Sequence, residues 1–223
     1  MVIAVLVVLS LLLTASSSIY LAYEDFTGDS FAEKLTSAAK KNRKVIIYLI
    51  CSFAVMCGLS VALVVIYTTN TLIADMKVIT LLGILAAVTV TDIKKQIIPN
   101  KIILAGIVLR ICYAVAEFIT LGSVYFEILK GDLFSLALVA VLFLIGVLII
   151  KNGIGMGDIK LMLVMGIFQG ITGFISSLFC SLLVSFFVAI AMLIMKKKTR
   201  KDSIPFAPSV LVGTFISMVL TGM

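Results

Sequence analysis

Between Leu133 and Ile150 the chain reads LFSLALVAVLFLIGVLII, eighteen residues without a charge. A helix of about 20 apolar residues crosses the hydrocarbon core of a bilayer, and runs approaching that length recur along the sequence. With 62% of its 223 residues apolar, the chain has too little polar surface to clothe a water-soluble domain. The expected class is all-α: one polytopic transmembrane helical bundle of about eight spans, with no soluble domain.

The spans are expected at Val2–Leu21, Val45–Tyr67, Lys77–Val90, Lys101–Ile119, Leu133–Ile150, Ile159–Gly170, Ile171–Met195 and Phe206–Gly222. The sixth is short, and its boundary with the seventh falls at Gly170 or Gly173. The first lacks a basic start and is followed by further spans, so it reads as a retained span in preference to a cleaved signal peptide, although Ala15–Ser18 resembles a cleavage site.

Charge sets the orientation. Lys34, Lys40, Lys41, Arg43 and Lys44 lie in the loop Ala22–Lys44; Lys94, Lys95 and Lys101 flank the next connection; Lys151 and Lys160 flank a glycine loop; and Lys196, Lys197, Lys198, Arg200 and Lys201 form the last cluster. If eight spans alternate, all four groups fall on one side, leaving little beyond Lys77 and Lys130 on the other. The positive-inside tendency makes the basic side cytoplasmic and puts the N-terminus outside. The net charge of +7 then reads as topology signals and contacts with anionic lipids. Nothing in it points to nucleic acid.

No histidine occurs anywhere, which removes Ser–His, Cys–His and haem chemistry, and there is no G-x-S-x-G or P-loop. The four cysteines, Cys51, Cys57, Cys112 and Cys180, are scattered through apolar runs and form no C-x-x-C pair. They read as small buried hydrophobes; no metal site and no cofactor are expected.

Eleven acids remain. Glu24, Asp25, Asp29, Glu33 and Asp202 fall in polar loops. Asp75, Glu127 and Asp132 fall near the outer boundary, and Glu117 near the same side. Arg110 lies mid-span, where an unpaired charge costs a few kcal/mol; it is expected to be structural, facing Glu117 or another internal polar site. Asp92 closes the third span in VTVTDIKKQIIPN, and Asp158 opens the sixth in IGMGDIKLM. Each alone reads as an interfacial charge. Together they are two carboxylates at one membrane depth, a pair that can share one proton, with the charged member activating water and the protonated one polarising a carbonyl. Gly153, Gly155 and Gly157 permit a tight backbone turn and close approach of a substrate; alone they would be an ordinary turn. The only three prolines, Pro99, Pro205 and Pro208, lie at the same level in IIPN and IPFAP. They break helices beside the aspartates, or simply begin helices, where proline is welcome.

The blocks TDIKKQIIPN, GMGDIKLM and IPFAP, in that order, resemble the three signatures of type IV prepilin peptidases, a branch of the GxGD aspartyl proteases of membranes. The resemblance covers roughly Leu81 to Gly213. It implies a catalytic dyad of Asp92 and Asp158, with Lys94, Pro99, Asn100, Gly155, Gly157, Lys160, Pro205, Phe206 and Pro208 as the motif residues around it. It also implies the substrate: a prepilin or pilin-like precursor whose short basic leader is cut at the cytoplasmic membrane face, before an apolar helix and usually after a glycine. The chain then divides into N-terminal spans, 1–80, and a peptidase core, 81–223. Many family members carry a zinc-binding domain with two C-x-x-C pairs between the first two spans and also N-methylate the product. Here that loop is about twenty residues without a cysteine, so cleavage without methylation is expected. Rival readings are a small transporter with Asp92, Asp158, Arg110 and Glu117 in a polar pathway, a non-catalytic assembly protein on the same fold, and a GxGD protease with other substrates.

Overall fold

The computed structural model describes residues 2–25, 43–66, 71–149, 155–195 and 205–221. They form helices α1 (Val2–Asp25), α2 (Arg43–Ile66), α3 (Leu72–Lys95), α4 (Asn100–Leu121), α5 (Tyr125–Ile149), α6 (Met156–Ile194) and α7 (Ala207–Thr221), with one short 3-10 turn, Gly122–Val124, between α4 and α5. No strand occurs among the described residues, so the chain is an all-helical bundle. Most of the loop Ala22–Lys44, Lys151 with Gly153, and the Lys196–Lys201 cluster lie outside the described residues.

The bundle is organised around α3. Every residue from Val78 to Asp92 is buried, as befits a helix that is apolar on all sides. Leu59 and Leu63 of α2, Ile103 of α4, Val139 of α5, Val164 of α6 and Val210 of α7 join its core, while Leu6 of α1 packs with Met56 and Ile79 on the opposite flank. The outward faces of the peripheral helices carry large apolar side chains, among them Leu144, Phe179, Phe186 and Phe187. Three helical runs, Leu72–Lys95, Asn100–Leu142 and Met156–Ile194, are long and apolar enough to cross a bilayer; Val2–Ala15, Ile50–Ile66 and Ala207–Thr221 are shorter apolar helices. An exterior of this kind suits lipid as solvent.

Helix α3 extends beyond the expected Lys77–Val90 at both ends. Thr71, in extended conformation, caps it by accepting the Ala74 N–H at 3.3 Å, and the helix runs on through Asp92 to Lys95. It stops at Gln96, which takes the left-handed conformation (φ 52°, ψ 38°) and donates its N–H to the Asp92 carbonyl at 2.9 Å. Pro99, three residues later, bars helix at Ile98 and starts α4.

The expected sixth and seventh spans form one element, α6, broken at Gly170. Its φ of 64° and ψ of −172° lie in a region open essentially to glycine alone. Gly173, the other expected boundary, is buried inside the continuing helix. Across the break the Gln169 amide donates to Ser177 Oγ at 2.8 Å. Eight residues of straight helix would separate them by about 12 Å, more than the two side chains and their bond reach, so the helix bends at Gly170. The break orphans carbonyls of the preceding turn, and other helices supply donors: Ser135 Oγ to Gly166 O at 2.7 Å, and Arg110 Nε to Ile167 O at 2.6 Å.

The second half of α6 meets α7 backbone to backbone. A Cβ on Gly213 would overlap the Ser181 nitrogen and Cα, a clash no side-chain rotation relieves. Gly213→Ala is expected to destabilise the protein by about 1–3 kcal/mol through overpacking, read as a lowered unfolding midpoint in detergent. An unchanged midpoint would mean that the two helices are not in contact there.

Candidate active site

Asp92 and Asp158 come from opposite ends of their helices. Asp92 lies in the last turn of α3 and Asp158 in the first turn of α6, whose N-cap is Gly155. The Gly155 carbonyl accepts the N–H groups of Asp158 and Ile159 at 3.0 and 3.3 Å, closing that first turn. Both carboxylates line one cavity of about 680 Å³, together with Gln96, Ile98, Lys160 and Phe206. Two further cavities, beside α2 and α7 and beside α4, α5 and α6, present mostly apolar surface, although Asn100, Lys101 and Lys160 stand at the second. The cavity shared by the aspartates is the polar one.

Asp92 is 6% exposed, and its Oδ2 accepts the Ala207 N–H at 2.9 Å. Ala207 opens α7 directly after Pro205 and Phe206. Asp92 thus satisfies one of the donors that a helix start leaves unpaired, and its charge faces the positive end of the α7 dipole. Pro208, in the same first turn, has no N–H to leave unpaired.

The glycines beside Asp158 have separate steric reasons. A Cβ on Gly155 would stand 3.1 Å from Asp158 Oδ2, so a side chain there displaces the carboxylate. A Cβ on Gly157 would stand 3.1 Å from Ile98 Cβ: Gly157 is where the IIPN segment packs against the start of α6. A second tie between these segments is polar, Lys160 Nζ donating to Asn100 Oδ1 at 2.8 Å. Gly155→Ala is expected to leave the bundle folded while perturbing Asp158. If the site is catalytic, turnover falls about tenfold or more, the scale on which a misplaced group acts; turnover equal to wild type would show that the carboxylate tolerates the shift.

Thus Asp92, Gly155, Gly157, Asp158, Lys160, Pro205 and Phe206 share one cavity. Pro99 caps α4 and Asn100 begins it, at the cavity edge. Lys94 lies on the exposed side of the last turn of α3 and is not among the cavity-lining residues. Sequence reasoning missed Gln96, Ile97, Ile98 and Met156, which also line the cavity, and the backbone N–H of Ala207. Among the described residues no group of three or more His, Cys, Asp or Glu side chains is placed to hold a metal ion, and the four cysteines are unpaired thiols.

At the other end of the bundle is a second group of charges. Arg110 Nη1 donates to Glu117 Oε2 at 3.0 Å, its Nη2 pairs with Asp132, and Lys77 Nζ pairs with Glu117 Oε1 at 2.5 Å. Arg110, Glu117 and Asp132 are buried. Arg110 faces Glu117, as expected. Asp75 and Asp132 are buried, at 3% and 7% exposure, whereas Glu127 is exposed and pairs with Lys130 at 2.7 Å. Fifteen residues of α3 separate Lys77 from Asp92, about 22 Å of rise.

Residues 79–194 match the type IV leader peptidase family, a span that holds both aspartates and just over half of the chain. The chain belongs to that family. A curated relative, the prepilin leader peptidase/N-methyltransferase of Bacillus subtilis (strain 168), is 27% identical over 136 residues, 61% of this chain and 52% of that protein. The chain thus aligns with about half the length of this leader peptidase. No solved structure matches significantly.

Proposed function

We propose that this chain is a membrane-embedded aspartyl endopeptidase that removes the basic leader from type IV prepilin-like precursors at the cytoplasmic membrane face. The observation that carries the reading is the meeting of Asp92 and Asp158, from separate helices, in one polar cavity edged by the IIPN and IPFAP segments. Family membership supplies the reaction class; the cavity supplies the groups. One carboxylate, ionised, takes a proton from water as it attacks the scissile carbonyl. The other, protonated, hydrogen-bonds the carbonyl oxygen and then passes its proton toward the leaving amine. The proton belongs to the pair. The backbone around Gly155 and the Gln96–Ile98 segment leave room for an extended peptide. In this reading residues 1–80 are accessory spans and 81–223 the peptidase core.

Eight crossings, with the chain turning at Gly170, put Lys94, Lys95, Lys101 and Lys160 at the cavity end of the bundle on the cytoplasmic side, near anionic lipid headgroups. The test is twofold. A co-expressed precursor is expected to shift to its shorter form with this protein and not without it. Cysteines installed at Lys95 and Asn152 are expected to label from the cytoplasm and one at Gly122 from outside. Labelling of 95 and 152 from opposite faces would contradict the topology and the dyad together.

The relative's name joins peptidase to N-methyltransferase. The loop Ala22–Lys44 of this chain is too short for an independent core and has no cysteine to bind a metal. The mature product is therefore expected to leave unmethylated, and mass spectrometry of precursor processed by this enzyme alone checks it. A methyl group that appears with wild type and disappears with Asp158→Asn would overturn the expectation.

A further inference from the structure

We infer that the apolar groove between α4 and the first half of α6 seats the apolar helix that follows the scissile bond; this rests on the peptidase reading and names where its substrate docks. The groove, of about 670 Å³, is formed by α4, α5 and α6. Asn100, Leu104 and Ile107 form one wall, and Lys160, Leu163 and Ile167 the other. These spacings, i, i+4, i+7 and i, i+3, i+7, are single faces of two helices. Leu104 and Ile107 are 62% and 39% exposed, so the face has no partner within the chain.

Two bonds fix its direction. Lys160 holds Asn100 near the start of both helices, and Arg110 holds Ile167 O further along both. Hence α4 and this part of α6 run side by side in the same direction. The groove between them begins at the catalytic cavity and leads away from it for about 10 Å, two turns of helix. Lys160 lines the cavity and the groove alike. The other apolar cavity has no such connection: it shares no lining residue with the catalytic one, and Ala86, its residue nearest Asp92 along α3, is about 9 Å of rise away. A substrate whose peptide bond lies at the aspartates and whose next residues form an apolar helix needs an apolar channel starting at the cavity. A helix laid in a groove of helical side chains is a recurring mode of recognition. This groove starts in the right place and runs away from the site.

The test is photo-crosslinking in Asp158→Asn, in which bound precursor is expected to remain uncut. A photoreactive side chain is installed at Leu104 or Leu163, and for comparison at Val55 or Val212 in the other cavity. The expected result is precursor adducts from 104 and 163, mapped by mass spectrometry to its apolar segment, and lipid adducts alone from 55 and 212. Lipid or a second copy of this chain as the sole adduct at 104 and 163, or precursor adducts from 55 and 212, would overturn the inference. A kinetic measurement accompanies it. Leu104→Trp is expected to raise KM about tenfold for the full precursor and to leave a short peptide without the apolar segment unaffected. Equal effects on both substrates would count against docking in this groove. If wild type cuts the precursor but the adducts lie elsewhere, only the groove assignment falls; if wild type does not cut it, the peptidase reading falls first.

Discussion

Replacing either Asp92 or Asp158 with asparagine is expected to reduce precursor processing by about 10³-fold or more while the protein remains inserted and folded. General acid–base groups each contribute roughly 10²–10⁴ in rate. An amide neither takes a proton from water nor donates a carboxylic proton to the carbonyl, so each single variant disables the pair, and the double variant is expected to be little worse than either one. The two positions differ structurally. Asp92 Oδ2 accepts the Ala207 N–H; in Asp92→Asn the amide side chain keeps an oxygen able to accept that bond but loses the charge at the α7 terminus. A modest fall in stability, within about 1 kcal/mol, is expected for that variant. Gel mobility of co-expressed precursor reports processing, and unfolding in detergent reports folding. Near-wild-type processing by either variant would remove that aspartate from the mechanism.

The second large effect lies at the opposite end of the bundle. Arg110→Ala is expected to destabilise the protein by about 3–5 kcal/mol, the range for removing one partner of a buried ion pair. The loss strands Asp132 and half-strands Glu117, to which Lys77 remains bound, and it leaves the Ile167 carbonyl without its donor at the break in α6. The four side chains, Lys77, Arg110, Glu117 and Asp132, balance in formal charge. Arg110→Ala combined with Asp132→Asn restores that balance and is expected to recover part of the loss. Unfolding midpoints of the single and double variants measure this directly. A single variant within about 0.5 kcal/mol of wild type, or a double variant with the full additive loss, would show that the charges do not depend on one another.

The candidate-site blocks are legible because they interrupt an apolar background. Asp92 and Asp158 are charges at the ends of apolar runs, and Pro99, Gly155 and Pro205 mark the chain breaks beside them, so the pattern is visible in the sequence itself. Contacts that depend on tertiary packing were not legible. Gln96 carries no signal for its left-handed conformation, in which its N–H bonds the Asp92 carbonyl. The Ala207 N–H is a backbone donor that any residue but proline would offer. The pairing of Asp132 with Arg110 is hidden because 22 residues separate them along the chain. Gly170 and Gly173 were equivalent as boundaries in the sequence. Gly170 takes the positive φ while Gly173 stays in the helix, and Ser135 and Arg110 from neighbouring helices bond the carbonyls just before the break.

The most direct test of leader cleavage uses the purified protein in vesicles with a precursor made of a basic leader, a glycine and an apolar helix, followed by mass spectrometry of both products. The account predicts two fragments: a leader ending in a free carboxylate at the glycine, and a mature chain beginning at the apolar segment with an unmodified amine. Both are expected to be absent with Asp92→Asn or Asp158→Asn. An intact precursor beside folded wild-type protein, or a cut elsewhere in the precursor, would contradict it.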